Sequence, residues 1–301
     1  MKKDYLNAID TVEYLNNEMY KLVNSPKMKI GEKILLLKER TIKENITKRL
    51  KTMKMKEHDR FLYDYNKTEE ERLSERTFSG NKDIKIAVYT GIFGNYDAVK
   101  EPIFIKSNID YYIFTEGPVN SQVWIKKEMP SSFNKQDYTL KNRYLKFHPF
   151  ELFPDYDYVI YIDGNVTVTS DLSGLLNNLN ENGISFHSHA NRVCLYSEIE
   201  ALITAKKGIE EKLLEQVKYY KNEGFPTNYG LLEATVIVTD NKNQVAKKIL
   251  LEWWEEFLRS GSMRDQVSLP YILWKNGISV NKVNSLGKNV YRSLKFRVVN
   301  H

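Results

Sequence analysis

The pattern of hydrophobic and polar positions changes character near residue 80. Before it, the periodicity is helical. Tyr5, Ile9, Val12, Met19 and Val23 recur at spacings of four and three, with Asn16 filling the one polar gap. This predicts an amphipathic helix with a narrow apolar seam. Ser25-Pro26 ends it. A second helical pattern runs through Leu35, Ile42, Ile46, Leu50 and Met53. A third, Thr68 to Arg76, is charged, with Thr68 placed to cap a helix ahead of Glu69, Glu70 and Glu71. Ser79-Gly80-Asn81 reads as a linker. The expectation is a helical appendage over residues 1–80 and a separate domain over 81–301.

Beyond the linker, short apolar runs alternate with longer amphipathic ones. Strands are predicted over Ile84–Tyr89, Asp110–Thr115, Val123–Lys127, Tyr158–Ile162, Ile184–His187 and Thr235–Thr239. Helices are predicted over Asn134–Phe150, Ser173–Leu179, Ser197–Tyr220, Val245–Arg259 and Val267–Trp274. The tail from Ile278 to Val299 is basic and strand-like. Tyr158-Val159-Ile160-Tyr161-Ile162 carries no polar alternation, so it reads as a strand buried on both faces. The fold class is therefore α/β, with a mixed, mostly parallel sheet flanked by helices.

Such sheets bind ligands beyond the carboxyl ends of their strands. Asp163, Gly164 and Asn165 follow the central strand directly. Asp163 and Asn165, two residues apart, point to one side and offer two oxygens to a hard cation, Mg²⁺ or Mn²⁺. An ordinary Asp-Gly-Asn turn fits the same three residues. The first strand leads into Thr90-Gly91-Ile92-Phe93-Gly94-Asn95-Tyr96-Asp97, where a nucleotide can lie against exposed backbone. The spacing Gly91-x-x-Gly94 matches neither the dinucleotide pattern nor a P-loop. Glu116 closes the second strand. The helix before the central strand carries Lys141, Arg143, Lys146 and His148, a basic set suited to phosphates or simply to solvent. His187 and His189 share a strand face, but one cysteine leaves too few soft ligands for structural zinc. Glu233 stands at the mouth of an apolar strand, where a carboxylate is costly unless partnered. Asp265 opens an apolar helix, as a cap or as a functional carboxylate.

Composition bounds the rest. The chain has 301 residues and is 42% hydrophobic, without an apolar run near the ~20 residues that span a bilayer. No signal-peptide core follows Met1-Lys2-Lys3-Asp4, and a lone Cys194 fits a reducing cytosol. The expected location is cytoplasmic, at the inner face of the membrane if the appendage binds lipid. Lys48, Arg49, Lys51, Lys54 and Lys56 crowd the appendage. Three roles stay open for it: packing on its own domain, peripheral membrane contact, or a homo-oligomer contact. Nucleic acid is not expected, because aromatic residues do not interleave with the basic ones.

Several blocks taken in order resemble a known family. They are Gly91-x-Phe93-Gly94-x-Tyr96-Asp97, Pro102, Phe114-Thr115-Glu116, Lys141-x-Arg143-x-x-Lys146-x-His148, Tyr161-Ile162-Asp163-Gly164-Asn165, His189-x-x-Arg192-x-Cys194-x-Tyr196-x-Glu198 and Arg264-Asp265-Gln266-Val267-Ser268. Between about Ile84 and Tyr271 the chain resembles the glycosyltransferase-like domain shared by plant proteins labelled alkaline ceramidase or mucilage-related and by bacterial surface-polysaccharide proteins. The appendage lies outside the resemblance.

The resemblance implies a GT-A-like fold and transfer of a sugar from a nucleotide-sugar donor to a glycan or lipid-linked acceptor in surface polysaccharide synthesis. Asp163 and Asn165 would stand for the Asp-x-Asp metal motif of such enzymes. Thr90, Gly91, Phe93, Gly94, Tyr96, Glu116, Lys141, Arg143, Lys146, Asp163 and Gly164 would face the donor. His187, His189, Arg192, Arg264 and Gln266 would line the sugar and acceptor side, with Asp265 and Glu233 as catalytic carboxylates. Two other readings stay open: a metal-dependent lipid amide hydrolase, and a non-catalytic nucleotide-sugar-binding scaffold. The hydrolase would need a nucleophile or metal motif, and neither His-Glu-x-x-His nor Gly-x-Ser-x-Gly occurs.

Overall fold

The computed structural model describes Phe78 and residues 83–94, 96–133 and 136–299. All of these belong to the unit Tyr65–His301. The helices expected in the appendage and the Ser79-Gly80-Asn81 linker lie outside the described residues.

A six-stranded sheet is the frame, in the order β3-β2-β1-β4-β7-β6. Its strands are β1 (Ile86–Ile92), β2 (Ile109–Thr115), β3 (Ile125–Lys127), β4 (Tyr158–Ile162), β6 (Ile184–Ser188) and β7 (Leu232–Asp240). β1 runs parallel to both β2 and β4, while β7 is antiparallel to β4 and β6. The expected mixed, mostly parallel sheet is thus the one that forms. A separate two-stranded ribbon pairs β5 (Val166–Val168) with β8 (Phe296–Val298).

Both faces of the sheet are covered. Ala87, Tyr89, Val159 and Tyr161 pack into one core, and Ile86, Val88, Ile160 and Ile162 pack into the other. This alternation is the reason β4 shows no polar positions. It also aims the residue that follows: Asp163 continues the Val159–Tyr161 face. That face is covered by α1 (Tyr138–Phe147), α3 (Leu195–Thr204), α4 (Glu210–Asn222), α5 (Gln244–Ser260) and α6 (Asp265–Lys275).

α1 begins where Asp137 accepts a hydrogen bond from the Leu140 amide at 2.9 Å. It stops at His148, because Pro149 disfavours helical geometry in the residue before it. A single turn, α2 (Pro149–Leu152), leads into β4. The helix expected over Asn134–Phe150 is therefore shorter. The helices expected over Ser197–Tyr220 are α3 and α4.

Two further expectations change. β1 continues through Thr90 and Gly91 to Ile92, all paired with β2, so these residues are strand and not loop. The tail from Ile278 is mostly turns and short 3-10 segments, and only Phe296–Val298 forms a strand. No helix among the described residues is long and apolar enough to cross a membrane.

The order of strands fixes where a ligand goes. From β1 the chain moves outward to β2 and β3, then returns to place β4 on the other side of β1. This reversal opens a crevice at the carboxyl ends of β1 and β4, where α/β sheets bind ligands. Antiparallel β7 begins at the same edge, bringing Glu233 there.

Candidate active site

The centre of the crevice is a buried charge cluster. Lys146, in the last turn of α1, has a side chain only 3% exposed. Its Nζ lies 3.0 Å from Asp163 Oδ1, 3.1 Å from Asp265 Oδ2 and 3.1 Å from the Ala234 carbonyl. Arg143, one turn earlier, places Nε 3.2 Å from Asp265 Oδ1. Its Nη1 donates to Asn142 Oδ1 at 2.6 Å. The Tyr161 hydroxyl donates to Asp163 Oδ1 at 3.0 Å. Burial alone would raise the Asp265 carboxyl, but Arg143 and Lys146 hold it well below the usual carboxylate range. Trp253 Nε1 and Ser268 Oγ both donate to the Asp265 carbonyl, fixing the start of α6.

Glu233 sits beside this cluster with a different character. Burial, supported by the negative charge of Asp163 and Asp265, pushes its carboxyl up to about 7 despite the Thr235 hydroxyl at 3.0 Å. Two carboxylates at one site thus have separated proton affinities, the usual sign of distinct chemical roles.

The β1 and β2 ends add a second, shallower group. Lys141 Nζ meets Glu116 Oε1 at 2.5 Å and lies over the Phe93 and Tyr138 rings. That hydrogen bond holds the Glu116 carboxyl below its ordinary value. Gly94 has φ +63°, with the Tyr138 ring 2.5 Å from where a Cβ would stand, so only glycine fits there. Tyr96 is 70% exposed at this edge. A Cβ on Gly164 would meet Ile92 Cγ1 at 2.9 Å. Thr90 is buried in the sheet and supports this edge without lining it.

The remaining residues divide. His189, Arg192 and Glu198 form their own cluster: Arg192 Nη1 is 2.6 Å and His189 Nε2 3.6 Å from Glu198 Oε2. Burial, and then Arg192, lower His189 to about 4, so the ring is neutral at pH 7. Its Nδ1 accepts from the Asn191 and Arg192 amides. His187 does not share that environment. It is 1% exposed, packs edge-on to Phe296, and burial lowers it to about 3. Gln266 ties α6 to β7 by donating to the Leu232 carbonyl at 2.8 Å. Arg264 precedes α6, and its charge helps to lower Asp265.

Sequence reasoning missed Asn142 and Tyr161. Asn142 holds Arg143 and donates to the Gly91 carbonyl at 3.3 Å, linking α1 to β1. The signal for Tyr161 was its place two residues before Asp163 on a strand.

The expected divalent cation requires Asp163 and Asn165 to offer oxygens together. Asn165 donates its side-chain N–H to the Val299 carbonyl at 2.9 Å, which ties the side chain down and leaves only a neutral amide oxygen to offer. Asp163 Oδ1 accepts from the Tyr161 hydroxyl and has the buried Lys146 ammonium 3.0 Å away, a like charge to any added cation. Among the described residues, no group of three or more His, Cys, Asp or Glu side chains converges as metal ligands would. This arrangement does not fit a cation between Asp163 and Asn165.

The family profile described as TOD1/MUCI70, glycosyltransferase-like domain, matches residues 38–300. The chain belongs to this family. The TOD1/MUCI70 match begins well before Ile84, so the family's pattern reaches into the stretch expected to lie outside it. Solved structures similar to this member are bacterial-type glycosyltransferases. The bifunctional glycosyltransferase WbbM is 16% identical with a TM-score of 0.41, over 71% of this chain and 40% of its own. The galactosyltransferase LgtC is 16% identical with a TM-score of 0.39, over 64% of this chain and 72% of its own. The glycosyltransferase GlyE of Streptococcus pneumoniae TIGR4 is 16% identical with a TM-score of 0.36, over 65% and 44%. No curated protein matches.

Proposed function

We propose that this TOD1/MUCI70 member transfers a sugar from a nucleotide-sugar donor to a glycan or lipid-linked acceptor, of the kind used in surface polysaccharide synthesis. The observation that carries the reading is the Lys146–Asp163–Asp265–Arg143 cluster at the strand-order reversal. The nucleoside would lie along Phe93, Gly94 and Tyr96, with Glu116 and Lys141 at its edge. The diphosphate would meet Arg143, whose guanidinium suits phosphate oxygens. As the diphosphate departs, negative charge grows on its oxygen, and fixed cations favour that state over the ground state.

The acceptor hydroxyl must lose a proton. Asp265 is a poor base, because two cations hold its carboxyl low. Its role is to position Arg143 and Lys146. Glu233, at about 7, has the affinity a general base needs near neutral pH. Arg143 and Lys146 are the fixed cations of this site and supply the positive charge for these steps. A donor of this type and an acceptor carried on lipid would place the reaction at the inner face of the membrane.

A thermal-shift screen of nucleoside diphosphates and nucleotide sugars tests the reading. A ligand at 100 times its dissociation constant stabilises the folded state by about 2.7 kcal/mol. The expected result is stabilisation by one nucleoside diphosphate, lost in Arg143→Ala. Absence of any shift across the set would overturn the donor assignment.

A further inference from the structure

The oxygens expected to hold a metal are holding something else. The Lys146 ammonium contacts two carboxylates and one backbone carbonyl, at 3.0, 3.1 and 3.1 Å. That is the donor set of a hard cation at an oxygen site. The ammonium donates to Asp265 and to the Ala234 carbonyl, and Asp163 supplies a third oxygen at ion-pair distance. The side chain is almost wholly enclosed. Its charge is compensated by Asp163 and Asp265, and the second of these is shared with Arg143.

A dication sharing Asp163 would sit close to this ammonium, in a setting where like charges are weakly screened. The second expected ligand is tethered: Asn165 Nδ2 donates to the Val299 carbonyl, and only its neutral amide oxygen is left to offer, a weaker ligand than a carboxylate. We infer that Lys146 is the resident cation of this site: it takes the place of a divalent metal, and nucleoside diphosphate binding proceeds without one. The second half rests on the donor reading above; the first half rests on the geometry alone.

Two measurements on the full chain separate these halves. In the first, Mn²⁺ is titrated into the protein without nucleotide and followed by electron paramagnetic resonance. Wild type should leave the free-ion signal undiminished. Lys146→Ala removes the ammonium and leaves Asp163, Asp265 and the Ala234 carbonyl facing one gap. That variant should take up Mn²⁺, and Asp163→Asn on the same background should abolish the uptake. Uptake by wild type that Asp163→Asn removes would overturn the inference. So would a Lys146→Ala protein with a native circular dichroism spectrum and no Mn²⁺ uptake. If Lys146→Ala does not fold, the wild-type and Asp163→Asn titrations decide the matter.

In the second, binding of UDP and GDP is measured by calorimetry with EDTA and with Mn²⁺. The dissociation constant of whichever binds should differ by less than about threefold between the two conditions, under a kcal/mol. Tightening of about tenfold or more by Mn²⁺, lost in Asp163→Asn, would overturn the inference. Binding of neither diphosphate in either condition would defeat the donor reading, and the Mn²⁺ titration would then settle the cation by itself.

Discussion

Lys146 and Asp265 meet at 3.1 Å although 119 residues separate them in sequence, and both side chains are shut away from solvent. The contact joins α1, which precedes the central strand, to the start of α6, the second helix after the last strand of the main sheet. Charge at this site is therefore also architecture, and substitutions there will register in stability as well as in turnover.

Removing one partner of a buried ion pair leaves the other uncompensated. Asp265→Ala should destabilise the fold by about 3–5 kcal/mol, read as a shift of the urea midpoint. Asp265→Asn keeps the shape and hydrogen-bonding capacity, and should cost less. Equal stability of Asp265→Ala and wild type would show that the cluster is not compact in solution.

Glu233 gives the pH profile a sign. Its carboxyl is raised to about 7 in the folded chain, against about 4.3 unfolded. The folded state therefore binds the proton more tightly. The stability it contributes is fully present below the unfolded value and is lost as pH rises toward 7. Glu233→Gln should flatten that fall in a pH series of thermal melts. If Glu233 is the base, kcat/KM should climb with pH through about 7, and Glu233→Gln should lose about 10²–10⁴-fold in rate.

Asp265 behaves oppositely. Its folded carboxyl is held low by Arg143 and Lys146 despite burial. The stability it contributes is present above the ordinary carboxylate value and is lost as pH falls below about 4. Acid unfolding followed by tryptophan fluorescence should begin later in pH for Asp265→Asn relative to its own neutral-pH stability.

Gly91 is a packing constraint. A Cβ there would stand 2.3 Å from Leu145 Cδ1. Gly91→Ala should cost about 1–3 kcal/mol from overpacking. Leu145→Ala should recover part of that loss in a double-mutant cycle, although Leu145→Ala alone destabilises.

The parts of this molecule legible in its sequence are those decided locally. Tyr158–Ile162 is apolar throughout, so its burial and the exit of Asp163 at the ligand edge follow from five residues. A helix before the central strand is legible too, although the Asp137 cap and Pro149 hold it to narrower limits than the Asn134–Phe150 expected. What was illegible depends on partners far away. Gly91 looks like a turn residue, but pairing opposite Phe114 keeps it in a strand. Lys146 looks like a solvated lysine; only the arrival of Asp163 and Asp265 makes its burial affordable. The tail looks like strand, yet Lys295 is buried with its ammonium on the Asp171 carbonyl, which fixes a turn-rich path. Asn165 looks like a metal ligand in a simple turn, yet its side-chain N–H is tied to Val299, far along the chain.

That last contact sets an order of events during synthesis. Asn165 and Val299 are 134 residues apart, a span that takes roughly 7–27 s to translate at about 5–20 residues per second. Until then the turn after Asp163 lacks the ribbon that clasps it. A ribosome-bound chain holding the first strands, the cluster helix and Asp163 would still be without the Asn165 clasp. The turn after Asp163 is thus clasped only once Val299 has emerged, long after the residues it steadies.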